Sequence, residues 1–567
     1  MNLRKALFAG VAFSFALSAL AQSQGDFFNE IFDSRGRVRA QYTEAYEIYS
    51  QMSEAQKERF LRESRKAFMG DNALDPMPRI LTAQEFDATL KPGVQQRADA
   101  LRAFLQDHHS GRRAYARAGV IPRDVVDRII QRSNEQSYKG LIPADQVAFM
   151  YGPDIIRDRR GNWRVIEDNP GFIGGLGDMK LAQDHLLEQF PELKDAFRVR
   201  MADEFYDQIS KRFKARAADF GGVAVLYMTP PYADNEDNRV RKLFADRGIP
   251  TVTPNSNQQL RVTPRGVYLY DKTHPEKRSK KVGYVVLNGE HSWLDMSHPV
   301  NYERWIVKAA ENIIENLRKE NRSSRTPLSR KEFNEGAIKS FQDDLNQKKI
   351  VVENLEIMIR NLGYGHWITA GKSASQQARG LTQAFMDRKV GLNYTPGIDF
   401  IGDKEFYLYV EELIRFYLKE EPIIKNIPTE RFANRDGVLN EVLLNRVFNN
   451  LERYVIKKVD GRGGDAVWVG PKINRSEVQQ VRERILGNPS EYIVQEFTPL
   501  SRLNDNIVDV RVITEVGPKD SFVTDTPWGR GLPKDGNGKV NLSDKGREVT
   551  VLIHEGAWGM CKNTYLR

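Results

Sequence analysis

The acidic residues best placed for chemistry lie in a predicted β-hairpin, in which two short apolar strands are joined by a tight turn at Arg160-Gly161. Each strand carries a carboxylate at the end remote from the turn. A two-residue turn fixes the register of a hairpin. That register contains three cross-strand pairs: Arg159 with Asn162, Ile156 with Val165, and Asp154 with Glu167. The sequence therefore predicts two carboxylates directly opposite each other.

Facing carboxylates repel, so Asp154 and Glu167 destabilise the hairpin unless a proton or a cation lies between them. Because side chains alternate along a strand, Asn169 shares the face of Glu167, whereas Asp168 points to the other face. Carboxylate and amide oxygens together suit Mg²⁺ that is held jointly by protein and by substrate phosphates. The alternative is a surface hairpin whose acids point into water.

A second candidate site is the segment 454–470, which is predicted to form a strand, a glycine-rich turn and another strand. Gly461, Gly463 and Gly464 permit positive φ angles and let backbone N–H groups approach an anion such as phosphate. A lysine that ends the first strand could reach the same phosphates as a point charge. The loop lacks the Gly-Lys-Ser/Thr sequence of a Walker A motif. The alternative is a simple tight hairpin.

Two later strands carry further candidates. Gln495, Glu496 and Phe497 end a short apolar strand, a form suited to contacting an adenine edge through backbone groups and ribose hydroxyls through a carboxylate. The alternative is an ordinary strand end. In the next strand Asp509 and Arg511 share one face, which makes Arg511 a candidate phosphate clamp. An exposed salt bridge between these two residues is the alternative.

The length and composition of the chain are those of a folded protein with room for several such elements. The chain has 567 residues, of which 40% are hydrophobic and 28% charged, so most of it is expected to fold into three or four structural units. The 85 basic and 76 acidic residues leave a net charge of +9, too small an excess to imply nucleic-acid binding. The single cysteine, Cys561, excludes an intramolecular disulfide, a multi-cysteine zinc site and an iron–sulfur cluster. Neither a Gly-x-Ser-x-Gly nor a His-Glu-x-x-His motif is present, which argues against a hydrolase.

The N-terminus has the pattern of a secretory signal. Residues 2–5 are basic, residues 6–20 are almost wholly apolar, and Ala19-Leu20-Ala21 offers small residues for a signal peptidase. The apolar run is shorter than the roughly 20 residues of a membrane span. We therefore expect cleavage before Gln22 and export to the periplasm or the medium, with an uncleaved N-terminal anchor as the alternative.

Several segments together resemble the circularly permuted ATP-grasp family, most closely its type 2 branch. They run in order from Asp26 to about Thr514, and their order is more specific than any single motif. The metal-binding strands precede the lysine strand, the reverse of ordinary ATP-grasp enzymes. The matching segments are 78–86, 96–107, Gly152-Pro-Asp-Ile-Ile-Arg-Asp, Trp163-Arg-Val-Ile-Glu-Asp-Asn, Asp403-Lys404, 414–422, 454–470, Tyr492-Ile-Val-Gln-Glu and Val508-Asp-Val-Arg.

The resemblance implies a mixed α+β and α/β protein with a circularly permuted ATP-grasp fold, an N-terminal helical region and a small Rossmann-like unit. The pattern of the chain itself predicts short apolar strands at 224–229, 250–252 and 282–287, and a polar segment of little periodicity at 316–336. Together with the resemblance, this gives a signal peptide (1–21), a helical N-terminal region (22–140), the metal-binding part of the ATP-grasp fold (141–215), the Rossmann-like α/β unit (216–315), a solvated loop or linker (316–336), a helical connecting region (337–440) and the nucleotide-binding part (441–567).

The resemblance also implies that ATP binds between two lobes, with its phosphates under the glycine loop. The residues implied for ATP are Lys404, Lys457, Gly463, Gly464, Gln495, Glu496, Phe497 and Asp509, and those for Mg²⁺ are Asp154, Glu167 and Asn169. The family usually has proline after the strand lysine, where this chain has Lys458, so the choice between Lys457 and Lys458 stays open. The family's Gly/Ser-rich segment near the C-terminus is not evident in this chain, where Trp528-Gly-Arg-Gly-Leu-Pro-Lys and the residues after it occupy the corresponding region, so the acceptor chemistry stays open.

The reaction expected for such an enzyme is amide formation between a small-molecule or peptide carboxylate and an amine, through an acyl phosphate that Arg511 helps to stabilise. No nucleic acid is expected as a partner, and no membrane after signal cleavage. Extracytoplasmic spaces are not expected to hold ATP, which conflicts with the export signal. This conflict leaves open an exported, non-catalytic module that binds nucleotides or peptides. A further alternative is a phosphotransferase that stops at the phosphorylated product.

Overall fold

The computed structural model describes residues 27–69, 72–133, 142–171, 173–197, 200–228, 235–253, 256–288, 299–323, 326–347, 350–365, 368, 380–461, 466–540, 542 and 546–555. The predicted signal peptide, Gly463 and Gly464 lie outside these ranges. The chain divides into two compact units. The first contains Met1–Gly140, Val147–Asp207 and Gly397–Arg567, and the second contains Leu141–Gln146 and Gln208–Pro396.

The strands are, in chain order, β1 (Arg79–Thr82), β2 (Phe149–Tyr151), β3 (Asp154–Arg157), β4 (Trp163–Glu167), β5 (Val223–Met228), β6 (Thr251–Val252), β7 (Gln258–Thr263), β8 (Gly266–Asp271), β9 (Lys280–Asn288), β10 (Gly391–Leu392), β11 (Lys425–Asn426), β12 (Thr429–Arg431), β13 (Tyr454–Lys458), β14 (Val467–Val469), β15 (Tyr492–Glu496), β16 (Arg502–Leu503), β17 (Asn506–Arg511), β18 (Thr514–Val516), β19 (Ser521–Val523), β20 (Trp528–Pro533) and β21 (Arg547–His554).

The longer helices are Thr43–Gln51, Glu54–Ala67, Lys91–His109, Arg123–Ser133, Asp178–Gln189, Pro191–Phe197, Ala202–Asp219, Asn235–Ala245, Pro299–Arg322, Leu328–Leu345, Val352–Asn361, Leu381–Met386, Glu441–Phe448 and Arg475–Gly487. Within the described ranges, none of the helices combines the length and the apolar character that a membrane span requires.

Two sheets of the first unit position the candidate residues. The larger sheet has eight strands in the order β1-β21-β20-β17-β3-β4-β11, with β16 paired to β17. The smaller sheet has four strands in the order β12-β15-β13-β14. One face of the smaller sheet packs Ile456, Tyr492 and Val494 against the helices Glu441–Phe448 and Arg475–Gly487. Alternation along β13 and β15 therefore turns Lys457 and Gln495 to the opposite face.

The second unit contains the predicted Rossmann-like element. Strands β6, β5, β9 and β10 are parallel, and β8 and β7 extend the sheet in the antiparallel sense. The sequence predicted strands at 224–229, 250–252 and 282–287, which correspond to β5, β6 and β9. Parallel strands that are covered on both faces have continuous apolar sequences, which explains why these strands could be predicted.

The prediction of a solvated loop or linker at 316–336 is wrong. The helix Pro299–Arg322 continues into this segment, and a second helix begins at Leu328. The apolar residues of this segment are too widely spaced to reveal its helices in the sequence. One of them, Leu317, is buried in a cluster that also contains Phe341 and Leu355. The charged residues between them occupy the outer faces of these helices, so composition alone resembled a linker.

The predicted hairpin of β3 and β4 is present, but its turn length and its register near the turn differ from the prediction. Its loop has three residues rather than two: the N–H of Asp158 donates to the carbonyl of Asn162 at 2.8 Å, and Gly161 has a φ of 86°. This turn places Ile156 opposite Arg164, not opposite Val165. A bulge then leaves Ile166 without a cross-strand partner and restores Asp154 to its position opposite Glu167. The one-residue error at the turn and the bulge cancel, so the predicted carboxylate pair is confirmed.

Candidate functional site

A cleft lies between the larger and the smaller sheet of the first unit, with a cavity volume of about 170 Å³. The metal candidates and most of the nucleotide candidates line the same cleft. Its polar lining residues are Asp154, Glu167, Asn169, Lys457, Gln495, Glu496, Thr498, Asp509, Arg511, Arg530 and Lys539. Its apolar lining includes Ile156, Ile166, Ile427, Val455, Val467, Val469, Phe497 and Leu500. The hairpin near residue 160 and the lysine strand near residue 457 thus meet, although they are far apart in sequence.

The floor of the cleft is an ordered array of charges on four neighbouring strands. One row runs from Trp528 on β20 through Arg511 on β17 and Asp154 on β3 to Glu167 on β4, each directly opposite the next. In the adjacent row Arg530 lies opposite Asp509. Opposite charges at neighbouring positions stabilise a sheet, and here Arg511 on the other side of Asp154 offsets the repulsion within the carboxylate pair.

Asp154 is held by two guanidinium groups. Arg511 donates to its Oδ1 through Nε at 2.9 Å and through Nη2 at 2.6 Å, and Nη2 of Arg530 lies 3.0 Å from its Oδ2. Burial opposes ionisation of Asp154, but Arg511 and Arg530 outweigh it and lower its pKa to about 2. Asp154 is therefore a carboxylate at any physiological pH, which a metal ligand has to be.

The predicted alternative of an exposed salt bridge between Asp509 and Arg511 is wrong in both respects. Arg511 is buried and pairs with Asp154, and its Nη1 donates to the carbonyl of Gly174 at 3.0 Å. Asp509 pairs instead with Arg530, with Oδ2 2.5 Å from Nη2. Burial raises the pKa of Asp509, although Arg530 acts in the other direction.

The other two metal candidates also face the cleft. Oε1 of Glu167 is 2.9 Å from Nζ of Lys404, and the side-chain amide of Asn169 donates to the carbonyl of Gly152 at 3.2 Å. As predicted, Asp168 turns away from this face. It is buried and forms an ion pair at 2.6 Å with Nη2 of Arg97 on the helix Lys91–His109, which anchors the end of β4 from behind.

The structure separates the two adjacent lysines. Lys457 is buried in the cleft, and its ammonium group donates to the carbonyl of Ile166 at 3.1 Å, which is the one hydrogen bond that its side chain makes with the described residues. Lys458 lies on the other face of β13, with Nζ 3.2 Å from Oδ1 of Asp460. Burial lowers the pKa of Lys457 to about 8; Lys404 adds to the effect, while Glu167 and Asp154 oppose it. A buried ammonium group with a single hydrogen-bond acceptor is costly, and a bound anion would stabilise its charged form.

Lys404 lies between the metal candidates and the glycine loop. It is buried, pairs with Glu167 and donates through Nζ to the carbonyl of Gly461, the last described residue before the loop. Its own backbone N–H donates to the carbonyl of Val459 at 2.9 Å. Lys404 is thus fixed at the start of the loop that was predicted to bind phosphates.

The predicted base-binding strand end is partly occupied by the sheet itself. The N–H of Glu496 donates to Pro428 and that of Phe497 to Arg453, at 2.9 and 2.8 Å. These backbone donors are therefore already used, and a backbone contact with a base would have to employ a carbonyl oxygen. Gln495 is buried and donates to Thr429 Oγ1 at 3.2 Å, whereas Glu496 is exposed at the rim.

The donor set fits Mg²⁺ that shares its coordination with phosphates. Across the described part of the chain no three His, Cys, Asp or Glu side chains group as a metal site. Asp154, Glu167 and Asn169 supply two carboxylates and an amide, too few ligands for an all-protein cage but typical of Mg²⁺ bound with a nucleotide. Oε2 of Glu167 and Oδ1 of Asn169 have no hydrogen-bond partner among the described residues.

Sequence reasoning missed Arg530 and Gly175, which packs against Trp528. The indole of Trp528 lies 5.4 Å from the guanidinium carbons of both Arg511 and Arg530. Gly175 has a φ of 94°, and a Cβ there would overlap the indole. The alternation Trp528-Gly-Arg-Gly places Trp and Arg on one face of a strand and could have revealed Arg530. Its position beside β17 could not be read from the sequence.

Two family profiles match the chain and together cover both halves of this site. The profile described as "A circularly permuted ATPgrasp" matches residues 78–295, and "Circularly permuted ATP-grasp type 2" matches residues 367–516. The first range holds the carboxylate hairpin and the second holds the lysine strand. The chain belongs to the circularly permuted ATP-grasp family and has the corresponding fold.

The relatives found by sequence comparison share about a quarter of their aligned residues with this chain. An uncharacterized protein of Synechocystis is 24% identical over 440 residues, which cover 77% of this chain and 73% of that protein. A Mycobacterium leprae protein, also uncharacterized, is 23% identical over 556 residues, or 94% of this chain and 83% of its own length. A Frankia casuarinae protein named "Putative glutamate--cysteine ligase 2-2" is 25% identical over 524 residues, which cover 88% of this chain but 50% of that protein. The chain thus spans about half the length of this relative.

Among solved structures, a glutathione synthetase-like effector from Globodera pallida aligns over 88% of this chain and 97% of its own, with 10% identity and a TM-score of 0.45. A similarity this low leaves the fold assignment to the family profiles and the strand order.

Proposed function

We propose that this protein is an ATP- and Mg²⁺-dependent ligase that joins a small-molecule or peptide carboxylate to an amine. The observation that carries the proposal is the shared cleft, in which the carboxylates of β3 and β4 face the buried lysine of β13. The family generally uses ATP and Mg²⁺, and the name of the Frankia relative refers to the joining of glutamate and cysteine.

The residues divide into three groups by the charge that each would bind. Lys457 and Lys404 would bind phosphate oxygens, and Asp154, Glu167 and Asn169 would hold Mg²⁺. Arg511, which is fixed by Asp154 and Gly174, would stabilise negative charge on the transferred group. When bound, MgATP supplies the phosphoryl group that converts a carboxylate into an acyl phosphate, which an amine can then attack. No protein nucleophile is needed for this chemistry.

The base would occupy the apolar end of the cleft. Val455, Val467 and Val469 project from the smaller sheet there, and Phe497 and Leu500 lie at the exit of β15. Gln495 and Glu496 are placed to contact the base and the ribose. Burial of a flat, largely apolar ring against such side chains favours binding in proportion to the area removed from water.

The test is ADP release by the mature chain with Mg²⁺, L-glutamate and other carboxylates, each with and without a panel of amines. The proposal expects release that depends on both a carboxylate and an amine and that Glu167→Ala abolishes. Arg511→Ala should abolish turnover while binding of the ATP analogue AMPPNP stays measurable. ADP release with a carboxylate alone, yielding a stable phosphorylated product, would favour a phosphotransferase. Binding without any turnover would favour a non-catalytic module.

We further propose that the protein is exported, on the strength of the basic, apolar and small-residue pattern of residues 1–21. N-terminal sequencing of the protein from the cell envelope or the medium tests this, with Gln22 as the expected first residue. Recovery of the uncleaved chain from the cytoplasm would contradict it.

A further inference from the structure

We infer that Arg530 binds the substrate carboxylate, and that it becomes available by exchanging Asp154 for that carboxylate when Asp154 turns to Mg²⁺. The inference rests on the proposed ligase function and assigns a residue that none of the sequence motifs marked. Three observations carry it: the hydrogen bonds of Arg530, its place in the sheet and the orientation imposed by Asp509.

The first observation is that Arg530 is only partly satisfied. Its Nε and Nη2 contact the two carboxylate oxygens of Asp509 at 3.2 and 2.5 Å, and Nη2 also lies 3.0 Å from Oδ2 of Asp154. Its Nη1 makes no hydrogen bond with the described residues, although the side chain is buried and lines the cleft. Arg511 differs, because all three of its nitrogens donate to Asp154 or Gly174.

The second observation is the direction in which the charges of the cleft are arranged. Lys457 donates to the carbonyl of Ile166 at 3.1 Å and Lys404 pairs with Glu167 at 2.9 Å, so the cations proposed to bind phosphate lie at the β4 end of the array. Arg530 lies on β20, two strands beyond β3 in the order β20-β17-β3-β4. The backbones of β20 and β3 are therefore about 10 Å apart, and the Arg530 side chain extends across β17 to reach Asp154. An attacking carboxylate must approach the γ-phosphorus in line, from the side opposite the leaving ADP. We assign that side to the β20–β17 end of the array, where Arg530 lies, because the two lysines of the cleft contact β4 at the other end.

The third observation is that Asp509 orients Arg530 without blocking it. Asp509 occupies the edge of the guanidinium formed by Nε and Nη2. The other edge, formed by Nη1 and Nη2, is the one that can grip a second carboxylate with two parallel hydrogen bonds. In this structure Asp154 Oδ2 lies at an ion-pair distance of 3.0 Å from Nη2. A cation at Asp154 competes for the same oxygen, and its binding therefore returns the complete two-nitrogen edge to the cleft.

This arrangement predicts an order of binding. Before Mg²⁺ and nucleotide bind, Arg530 neutralises Asp154 and its carboxylate-binding edge is incomplete. After they bind, Asp154 coordinates the cation and Arg530 keeps its contact with Asp509 alone. The carboxylate substrate should therefore bind tightly only to the nucleotide-bound protein.

The first experiment measures the exchange without any turnover. Mn²⁺ serves as the probe for the Mg²⁺ site, and free Mn²⁺ is followed by its paramagnetic resonance signal in the ligand-free protein. Arg530→Gln removes a competing cation, so Mn²⁺ should bind about tenfold or more tightly than to the wild type. Arg530→Lys keeps the charge and should stay within about threefold of the wild type. Lys534→Gln removes an exposed charge outside the cleft and is the matched control, with unchanged Mn²⁺ affinity.

The second experiment separates carboxylate binding from nucleotide binding. With L-glutamate, or whichever carboxylate supports ADP release by the wild type, Arg530→Gln should raise the carboxylate KM by about 10- to 100-fold. The Kd for Mg²⁺-AMPPNP should change by less than about threefold, and Arg530→Lys should restore part of the carboxylate affinity. If Arg530→Gln fails to fold because Asp509 is left without its partner, Arg530→Gln/Asp509→Asn removes the whole pair and should show the same KM effect.

The outcomes distinguish this inference from the function on which it rests. If the wild type releases no carboxylate-dependent ADP, the ligase proposal fails and this inference fails with it. If the wild type is active and Arg530→Gln has a normal carboxylate KM, only the inference fails. Equal loss of nucleotide and carboxylate binding would show a structural role, and unchanged Mn²⁺ affinity would overturn the exchange at Asp154.

Discussion

Replacing Lys457 by methionine should make the ligand-free protein more stable at pH 7 while it destroys the phosphate site. The charged ammonium is buried in the cleft with one carbonyl as its hydrogen-bond partner. Burial, with a further contribution from Lys404, lowers its pKa from the ordinary 10.5 to about 8. That difference corresponds to about 3 kcal/mol of unfavourable free energy for the charged form. Loss of the hydrogen bond to Ile166 offsets about 1 kcal/mol, which leaves a net stabilisation of about 2 kcal/mol.

The pH dependence has a definite sign. Below pH 8 Lys457 is protonated in both the folded and the unfolded chain, so the full penalty applies. Between pH 8 and 10.5 the folded protein releases this proton before the unfolded chain does, and the unfolding free energy of the wild type therefore rises with pH. The methionine variant has no such group. The stability gap between the two proteins should be widest at pH 7 and should shrink as the pH approaches 10.

The assay is urea unfolding of the wild type and Lys457→Met at pH 7 and pH 10, with and without Mg²⁺-AMPPNP. Because the other lysines titrate in both proteins, the difference isolates Lys457. The analogue should stabilise the wild type and leave the variant unchanged. Lys458→Met is the control: its ion pair with Asp460 is partly exposed, so the change should be below about 1 kcal/mol and the analogue should still stabilise. A methionine variant less stable than the wild type at pH 7, or a gap that does not narrow with pH, would refute the reasoning.

Three further perturbations test other parts of the structure. Glu30→Ala should lower the unfolding free energy by about 3–5 kcal/mol in urea titrations, because it leaves the buried Arg79, whose Nη2 is 2.5 Å from Oε1 of Glu30, without its carboxylate. Despite burial, the pKa of Glu30 is lowered by Arg157 and Arg79, so its contribution should be lost as the pH falls below about 4.5, and a loss that does not depend on acid would contradict this. Asp154→Asn should raise the Mg²⁺ concentration needed for half-maximal AMPPNP binding by about tenfold or more, and an unchanged Mg²⁺ requirement would remove Asp154 from the metal site. Gly175→Ala should cost about 1–3 kcal/mol and reduce turnover by displacing Trp528, whereas Gly487→Ala, which opens onto free space, should do neither; equal effects of the two would show that the close packing does not matter.

Part of the site could be predicted because it depends on short stretches of chain. The pairing of Asp154 with Glu167 and the opposite facing of Asp168 and Asn169 follow from alternation within one hairpin. Even there the turn was misjudged, since a sequence does not reveal that a three-residue loop and a bulge at Ile166 compensate each other. The strands of the Rossmann-like unit were similarly legible, because buried parallel strands form continuous apolar runs.

The sequence by itself determined which residue types alternate along each strand and, through the order of its motifs, the family to which the chain belongs. Only the tertiary structure decided that Lys457 rather than Lys458 enters the cleft, and that Arg511 and Arg530 both neutralise Asp154. The physical reason is distance along the chain. Arg511 lies 357 positions from Asp154 in the chain, and the two residues meet because β17 pairs with β3. That pairing depends on burial and on backbone hydrogen bonds between distant strands. Neither leaves a periodic pattern in the local sequence.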